Sequence, residues 1–194
     1  MNKKIEFYFD VGSPASYLAW TQLPALAECH NAEIHWKPML LGGVFKATGN
    51  HSPVTIPAKG RYTFLDLSRF ARKYGVPFEL NPHFPINTLH LMRGATAHLG
   101  TPRFLDYLTA IFNALWADRK NLNDPDVVSQ VLTDAGFNPA EVLQRSNQPE
   151  VKDTLRQITE EAISRGVFGA PTFFVGNEMF FGQDRLDWVE AALS

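Results

Sequence analysis

The pattern of apolar and polar positions divides the chain into two kinds of text. Residues 5 to 9, "IEFYF", alternate in part and are rich in aromatic side chains, which predicts a strand. "DVGSPAS" interrupts the run. From Pro14 to about Glu28, Tyr17, Leu18, Leu23 and Leu26 then fall at helical spacing. Pro14 suits a first helical turn, where its missing N–H has no partner to lose, and Pro24 inside the run predicts a kink. After a short turn around Asn31, "EIHWKPML" predicts a second strand. A strand, a helix and a strand joined this tightly predict a βαβ unit.

Residues 42 to 60, "GGVFKATGNHSPVTIPAKG", predict a Gly- and Pro-rich loop, and residues 61 to 165 predict helix almost throughout. In "RFLDYLTAIFNALW" the residues Phe104, Leu105, Leu108, Ile111, Phe112, Leu115 and Trp116 recur as one broad apolar face. Asp124 and Asn138 are placed to cap helices whose first turns take Pro125 and Pro139. Gly75, Gly100, Gly136 and Gly166 are candidate helix stops. The text changes again at "GVFGAPTFFVGNEMFFGQDRLDWVEAAL", which predicts strands at about 172–175 and 178–181 around Gly176-Asn177, then a helix from near Asp184. Residues 1–60 and 166–194 therefore read as complementary halves of one α/β unit, separated by a helical insertion at 61–165.

Composition changes this picture little. With 194 residues, 45% hydrophobic and 20% charged, the chain fits one compact soluble domain or two interleaved ones. Its 18 basic and 20 acidic side chains leave a net charge of -2, which offers no footprint for nucleic acid. No run reaches the roughly 18 apolar residues of a membrane span, and the short apolar run at the start is cut by Glu6 and Asp10, so a cytoplasmic protein is expected. Cys29 is the single cysteine, which excludes an intramolecular disulfide. The six histidines are scattered without acidic or thiol company, so no metal site is expected.

The candidate chemistry sits where "FYFDVGSPASYLAW" turns from strand to helix. "SPAS" there, with "GNHSPVTIPAKGRY", "FPINTLHLMR", "GVFGAPTFFV" and "FGQDRL" following in order, resembles the DsbA-like group across the whole chain. Within that group it resembles the kappa-class glutathione transferases and the 2-hydroxychromene-2-carboxylate isomerases of bacterial naphthalene breakdown. The resemblance implies a thioredoxin-like α/β fold split by an all-helical insertion. Ser13 and Ser16 then stand where redox relatives carry Cys-x-x-Cys. Gly12 and Ala15 depart from the isomerase pattern, which has a larger residue and an aromatic there.

"DVGSPAS" is not the G-x-S-x-G elbow of a serine hydrolase. What the resemblance implies instead is a borrowed thiol: glutathione binds as cofactor and Ser13 donates its O–H to the sulfur at a helix start, where free N–H groups favour an anion. Moving a thiol from about 8.5 to about 6.5 needs about 2.7 kcal/mol. A hydrogen bond to a charged acceptor supplies about 1.5 to 3 kcal/mol and a partly buried helix terminus up to about 2 kcal/mol. The plain alternative is that Ser13 and Ser16 are N-caps. Cys29 lies about 24 Å along a continuous helix from Ser13, too far to resolve a thiol there.

By the same resemblance Pro171 is the cis-proline of thioredoxin-like folds and Ala170 pairs with the backbone of glutathione. Backbone N–H groups near Gln183 take its carboxylate, Asp184 pairs with its ammonium, and Asn50 and Lys59 flank the tripeptide and the entrance. Asn87 and Arg93 are the candidates for holding an aromatic carboxylate substrate. Each has a plainer alternative: a trans turn at Pro171, helix caps at Asp184 and Asn87, solvated cations at Lys59 and Arg93.

The activity implied is glutathione-dependent isomerisation of 2-hydroxychromene-2-carboxylate to trans-o-hydroxybenzylidenepyruvate, by thiolate addition, ring opening, bond rotation and elimination. A kappa-like conjugating transferase and a non-catalytic glutathione-binding module remain the alternatives, and a homodimer is expected from the family.

Overall fold

The computed structural model describes residues 3–194. Strands β1 (Lys3–Phe9) and β2 (Ala32–Pro38) run parallel, with Lys3 opposite Ala32 and Phe9 opposite Pro38, and α1 (Pro14–Cys29) connects them. The hairpin β3 (Thr172–Val175) and β4 (Glu178–Phe181) adds antiparallel to β1, with Phe7 opposite Phe173, and the sheet order is β2-β1-β3-β4. Between β2 and β3 lie α2 (Leu41–Thr48), α3 (Pro57–Tyr74), α4 (Leu89–His98), α5 (Phe104–Trp116), α6 (Pro125–Asp134), α7 (Pro139–Ser146) and α8 (Pro149–Ser164). A 3₁₀ turn at Gln183–Arg185 leads into α9 (Leu186–Ala192).

Alternation along β1 assigns its side chains to two cores. Phe7 and Phe9 stack at 5.1 Å on one face, and Phe7 meets Phe173 at 5.2 Å, in a core shared with α1, α5 and α9. Tyr8 faces the other side, with Val44 of α2 and Ile158 and Ala162 of α8. Phe104, Leu108, Ile111, Phe112, Leu115 and Trp116 are buried as their spacing predicts, whereas Leu105 points outward. Asp124 and Asn138 accept N–H bonds as caps of α6 and α7, and Gly75 ends α3 in the left-handed conformation.

Two stretches differ from the sequence reading. The expected loop over 42 to 60 holds α2, a 3₁₀ turn at Pro53–Thr55 and the start of α3. Gly42 and Gly43 sit in the first turn of α2, where a Cβ on Gly43 would lie 3.3 Å from Thr159 Cγ2 of α8. Close approach to a neighbouring helix, not looseness, is what a small residue at 43 serves. The almost wholly helical stretch expected over 61 to 165, in turn, is interrupted from Gly75 to Thr88 by irregular chain that contains a cis Phe84–Pro85 bond. Helix α1 continues through the exposed Pro24 as one element.

Candidate active site

The turn from β1 into α1 is fastened from several directions. Asp10 is buried, and its carboxylate accepts from the N–H of Gly12 at 2.9 Å, the N–H of Leu41 at 2.9 Å and Thr88 Oγ1 at 3.1 Å. Burial pushes its pKa above the ordinary carboxylate value, and the three donors oppose that shift without cancelling it. The N–H of Val11 meets Met92 Sδ at 3.3 Å, and its carbonyl accepts from Trp116 Nε1 at 2.8 Å. The N–H of Ser13 donates to the Asp10 carbonyl at 3.0 Å.

Ser13 emerges from this turn as the N-cap of α1, its Oγ accepting from the Ser16 N–H at 3.1 Å. The same Oγ donates to the carbonyl of Ala170 at 2.9 Å, and the residue is 5% exposed. The cap uses a lone pair, so the proton given to the Ala170 carbonyl can pass to another acceptor without loss of the cap. The Ala170–Pro171 bond is cis. The Ser16 hydroxyl is buried and has no hydrogen-bond partner among the described residues. Cys29 is exposed at the opposite end of α1.

The segment carrying Ala170 is held in turn. Asn50 Nδ2 donates to the Phe168 carbonyl at 2.8 Å, and the N–H of Gly182 donates to the Pro171 carbonyl at 3.0 Å. Gln183 is buried, and its carbonyl receives the Tyr74 hydroxyl at 2.8 Å, whose pKa is pushed up to about 12 by burial, with Asp187 and Asp184 adding to the shift. The Asp184 carboxylate pairs with Arg185. Among the described residues the N–H groups of Ala170, Gln183 and Asp184 have no intramolecular acceptor. A hydroxyl proton now given to the Ala170 carbonyl, together with the N–H groups of Ala170, Gln183 and Asp184 on the adjoining segment, is a donor set that fits a thiolate attached to a peptide with a terminal carboxylate.

The remaining candidates are not bonded to this group among the described residues. Lys59 is exposed in the first turn of α3 and forms no ion pair with a described residue. Arg93 is half-buried on α4 and makes neither a hydrogen bond nor an ion pair with a described residue. Asn87 is exposed; its N–H donates to Asn123 Oδ1 at 2.9 Å and its own Oδ1 accepts the Leu89 N–H at 3.2 Å, a bond that supports the start of α4. It lines a cavity of about 570 Å³ with Leu91, Tyr107, Val128, Leu132 and Val142, which Ser13, Ala170 and Gln183 do not line. The structure thus brings Ser13, Ala170 and Pro171 together, with Asn50 and Gln183 attached to the same segment. Asn87, Arg93 and Lys59 make no contact with Ser13 through hydrogen bonds.

The sequence reading passed over Asp10 and Thr88. A signal for Asp10 was present: a carboxylate ends the apolar run "IEFYF" immediately before the turn. Among the described residues no group of three or more His, Cys, Asp or Glu side chains is placed to hold a metal, and no helix is long and apolar enough to cross a membrane.

Comparisons with known proteins place the fold in a family. A profile for the DSBA-like thioredoxin domain matches residues 4–194. The chain belongs to that family. Within the DSBA-like family it is 31% identical over 195 residues to the 2-hydroxychromene-2-carboxylate isomerase of Sphingobium xenophagum, covering 100% of this chain and 99% of the relative. It is 30% identical over 202 residues to glutathione S-transferase kappa 2 of Caenorhabditis elegans, covering 96% of this chain and 90% of the relative. A solved 2-hydroxychromene-2-carboxylate isomerase superposes with a TM-score of 0.87 at 29% identity, over 98% of this chain and 94% of that one.

Proposed function

We propose that this chain is a glutathione-dependent isomerase acting on 2-hydroxychromene-2-carboxylate. The observation that carries the reading is the Ser13 hydroxyl, which caps α1 with its lone pair while its proton points at the carbonyl preceding a cis-proline. Relatives named as isomerases at 31 to 32% identity over nearly the whole chain support the reaction class. When bound, glutathione would supply a nucleophilic sulfur that is regenerated in each turnover, held by Ser13, Ala170, Gln183 and Asp184.

The chain's own part is to bind, orient and hold charge. Ser13 turns its proton from the Ala170 carbonyl to the sulfur and keeps the Ser16 N–H bond, so the helix start stays intact. A hydrogen bond to the anion, worth about 1.5 to 3 kcal/mol, together with the helix terminus covers the roughly 2.7 kcal/mol needed to lower the thiol by two pKa units. Ala170 offers both backbone groups to an extended peptide, and the N–H groups of Gln183 and Asp184 take a carboxylate. Asp184 exchanges its Arg185 partner for the ammonium. Arg93, a half-buried cation without a bonded partner among the described residues, takes the carboxylate of the aromatic substrate, and Lys59 draws the anion toward the entrance, whereas Asn87 lines a separate cavity and is left to the start of α4.

A second reading has an observation in its favour: kappa-class transferases match nearly as much of the chain as the isomerases do. In a conjugating transferase the sulfur stays on the product. The test is the absorbance change of 2-hydroxychromene-2-carboxylate with and without glutathione, followed by product mass. Conversion that requires glutathione and leaves the mass unchanged supports the isomerase. A product heavier by one glutathione refutes it in favour of the transferase.

A further inference from the structure

Thr88 is buried, at 8% exposed, at the end of the irregular stretch before α4. Its hydroxyl donates to Asp10 Oδ2 at 3.1 Å, and its methyl fills the space beside Gly12, where an added Cβ would lie 2.6 Å from Thr88 Cγ2. The same carboxylate holds the N–H of Gly12 and the N–H of Leu41. One buried acid therefore joins three segments: the turn into Ser13, the start of α2 that leads to Asn50, and the stretch that leads through α4 to Arg93. We propose that Thr88 and Asp10 form a clasp that positions the Ser13 hydroxyl for a bound thiol, with Thr88 a positioning residue acting through Asp10 and Gly12. This inference rests on the reading that Ser13 holds a glutathione thiolate.

The physical argument has two parts. Gly12 brings no side chain of its own, so the Thr88 methyl is what packs the turn immediately before Ser13. Asp10 has no cationic partner among the described residues, so its charge is carried by its donors; without the Thr88 hydroxyl, Oδ2 keeps only the Leu41 N–H. The Ser13 N–H hangs on the Asp10 carbonyl, so a shift of Asp10 is passed to Ser13 directly. The clasp also accounts for Gly12: a larger residue there is incompatible with a threonine at 88.

The experiment uses the full chain as wild type, Thr88→Val, Thr88→Ser, Gly12→Ala, the double variant Gly12→Ala/Thr88→Ser, and Ser13→Ala. The readouts are the pH titration of the thiolate absorbance of bound glutathione, and kcat and KM taken separately with 2-hydroxychromene-2-carboxylate. Thr88→Val keeps the shape and removes the hydroxyl; it is expected to raise the titration midpoint and to lower kcat by about tenfold, the scale of one lost bond to a charged group. Thr88→Ser keeps the bond but loses the packing methyl, and is expected to fall between wild type and Thr88→Val. Gly12→Ala is expected to behave like Thr88→Val, and the double variant to recover, because serine lacks the Cγ methyl that the new Cβ would strike. Thr88→Val titrating as wild type while Ser13→Ala is raised overturns the clasp alone. Failure of the double variant to recover overturns the packing half of it. An unchanged titration in Ser13→Ala overturns the Ser13 reading itself.

Discussion

The residues around Ser13 and those assigned to the substrate by the proposed function are held differently. Around Ser13 the wall consists of backbone groups and short side chains, each fixed by a bond: the Ala170 carbonyl at 2.9 Å, the Ser16 N–H at 3.1 Å and the Asp10 carbonyl at 3.0 Å. Arg93 and Lys59, which only the proposed function assigns to the substrate, have no bonded partner among the described residues. A preorganised wall suits a constant task, the holding of one sulfur anion. Uncommitted side chains suit a variable one, the choice of electrophile.

The sharpest way to break the comparison is Ser13→Ala. On the fixed side one substitution should cost about 1.5 to 3 kcal/mol of anion stabilisation, or roughly ten- to more than a hundredfold in kcat/KM at neutral pH. It should also lower stability by about 1 kcal/mol through the lost cap, read by urea unfolding. Equal rates for variant and wild type contradict the fixed side's role. Arg93→Ala probes the substrate side of the proposed function: KM for the carboxylate substrate should rise about tenfold while the bound thiol titrates as in wild type. A shifted titration there removes the division between the two groups of residues.

Asn50→Ala should have a smaller effect. Freeing the Phe168 carbonyl loosens the segment that carries Ala170, and calorimetry should show glutathione binding weakened by roughly three- to tenfold. The smallest effect is a slope. Because burial raises the pKa of Asp10 in the folded state, the fold binds that proton more tightly than the unfolded chain does. Its contribution is thus fully present below the ordinary carboxylate value and is lost as pH rises through the raised one. The stability of wild type relative to Asp10→Asn, measured by urea unfolding at stepped pH, should fall as pH increases. A difference that grows with pH contradicts this sign.

Much of the fold was legible because its signals are local. The hairpin around Gly176-Asn177, the caps Asp124 and Asn138 with their prolines, and the helical face of residues 104–116 each depend on spacing within a few residues. Helix α2 was not legible: Gly42 and Gly43 read as loop until α8 stands beside them. In the site, Ser13 and Pro171 could be named because their motifs are contiguous. The Asp10 to Thr88 bond joins residues 78 positions apart, and no local pattern encodes it. Leu105 shows the same limit in the core, since helical spacing places it on the edge of the apolar face and only the packing turns it outward.

The central claim is that Ser13 holds a glutathione thiolate, and the direct measurement is the pH titration of the thiolate absorbance of glutathione bound to wild type and to Ser13→Ala. The account predicts a midpoint near 6.5 for wild type, about two units below an ordinary thiol, and a return toward about 8.5 in the variant. Identical midpoints in the two proteins contradict it.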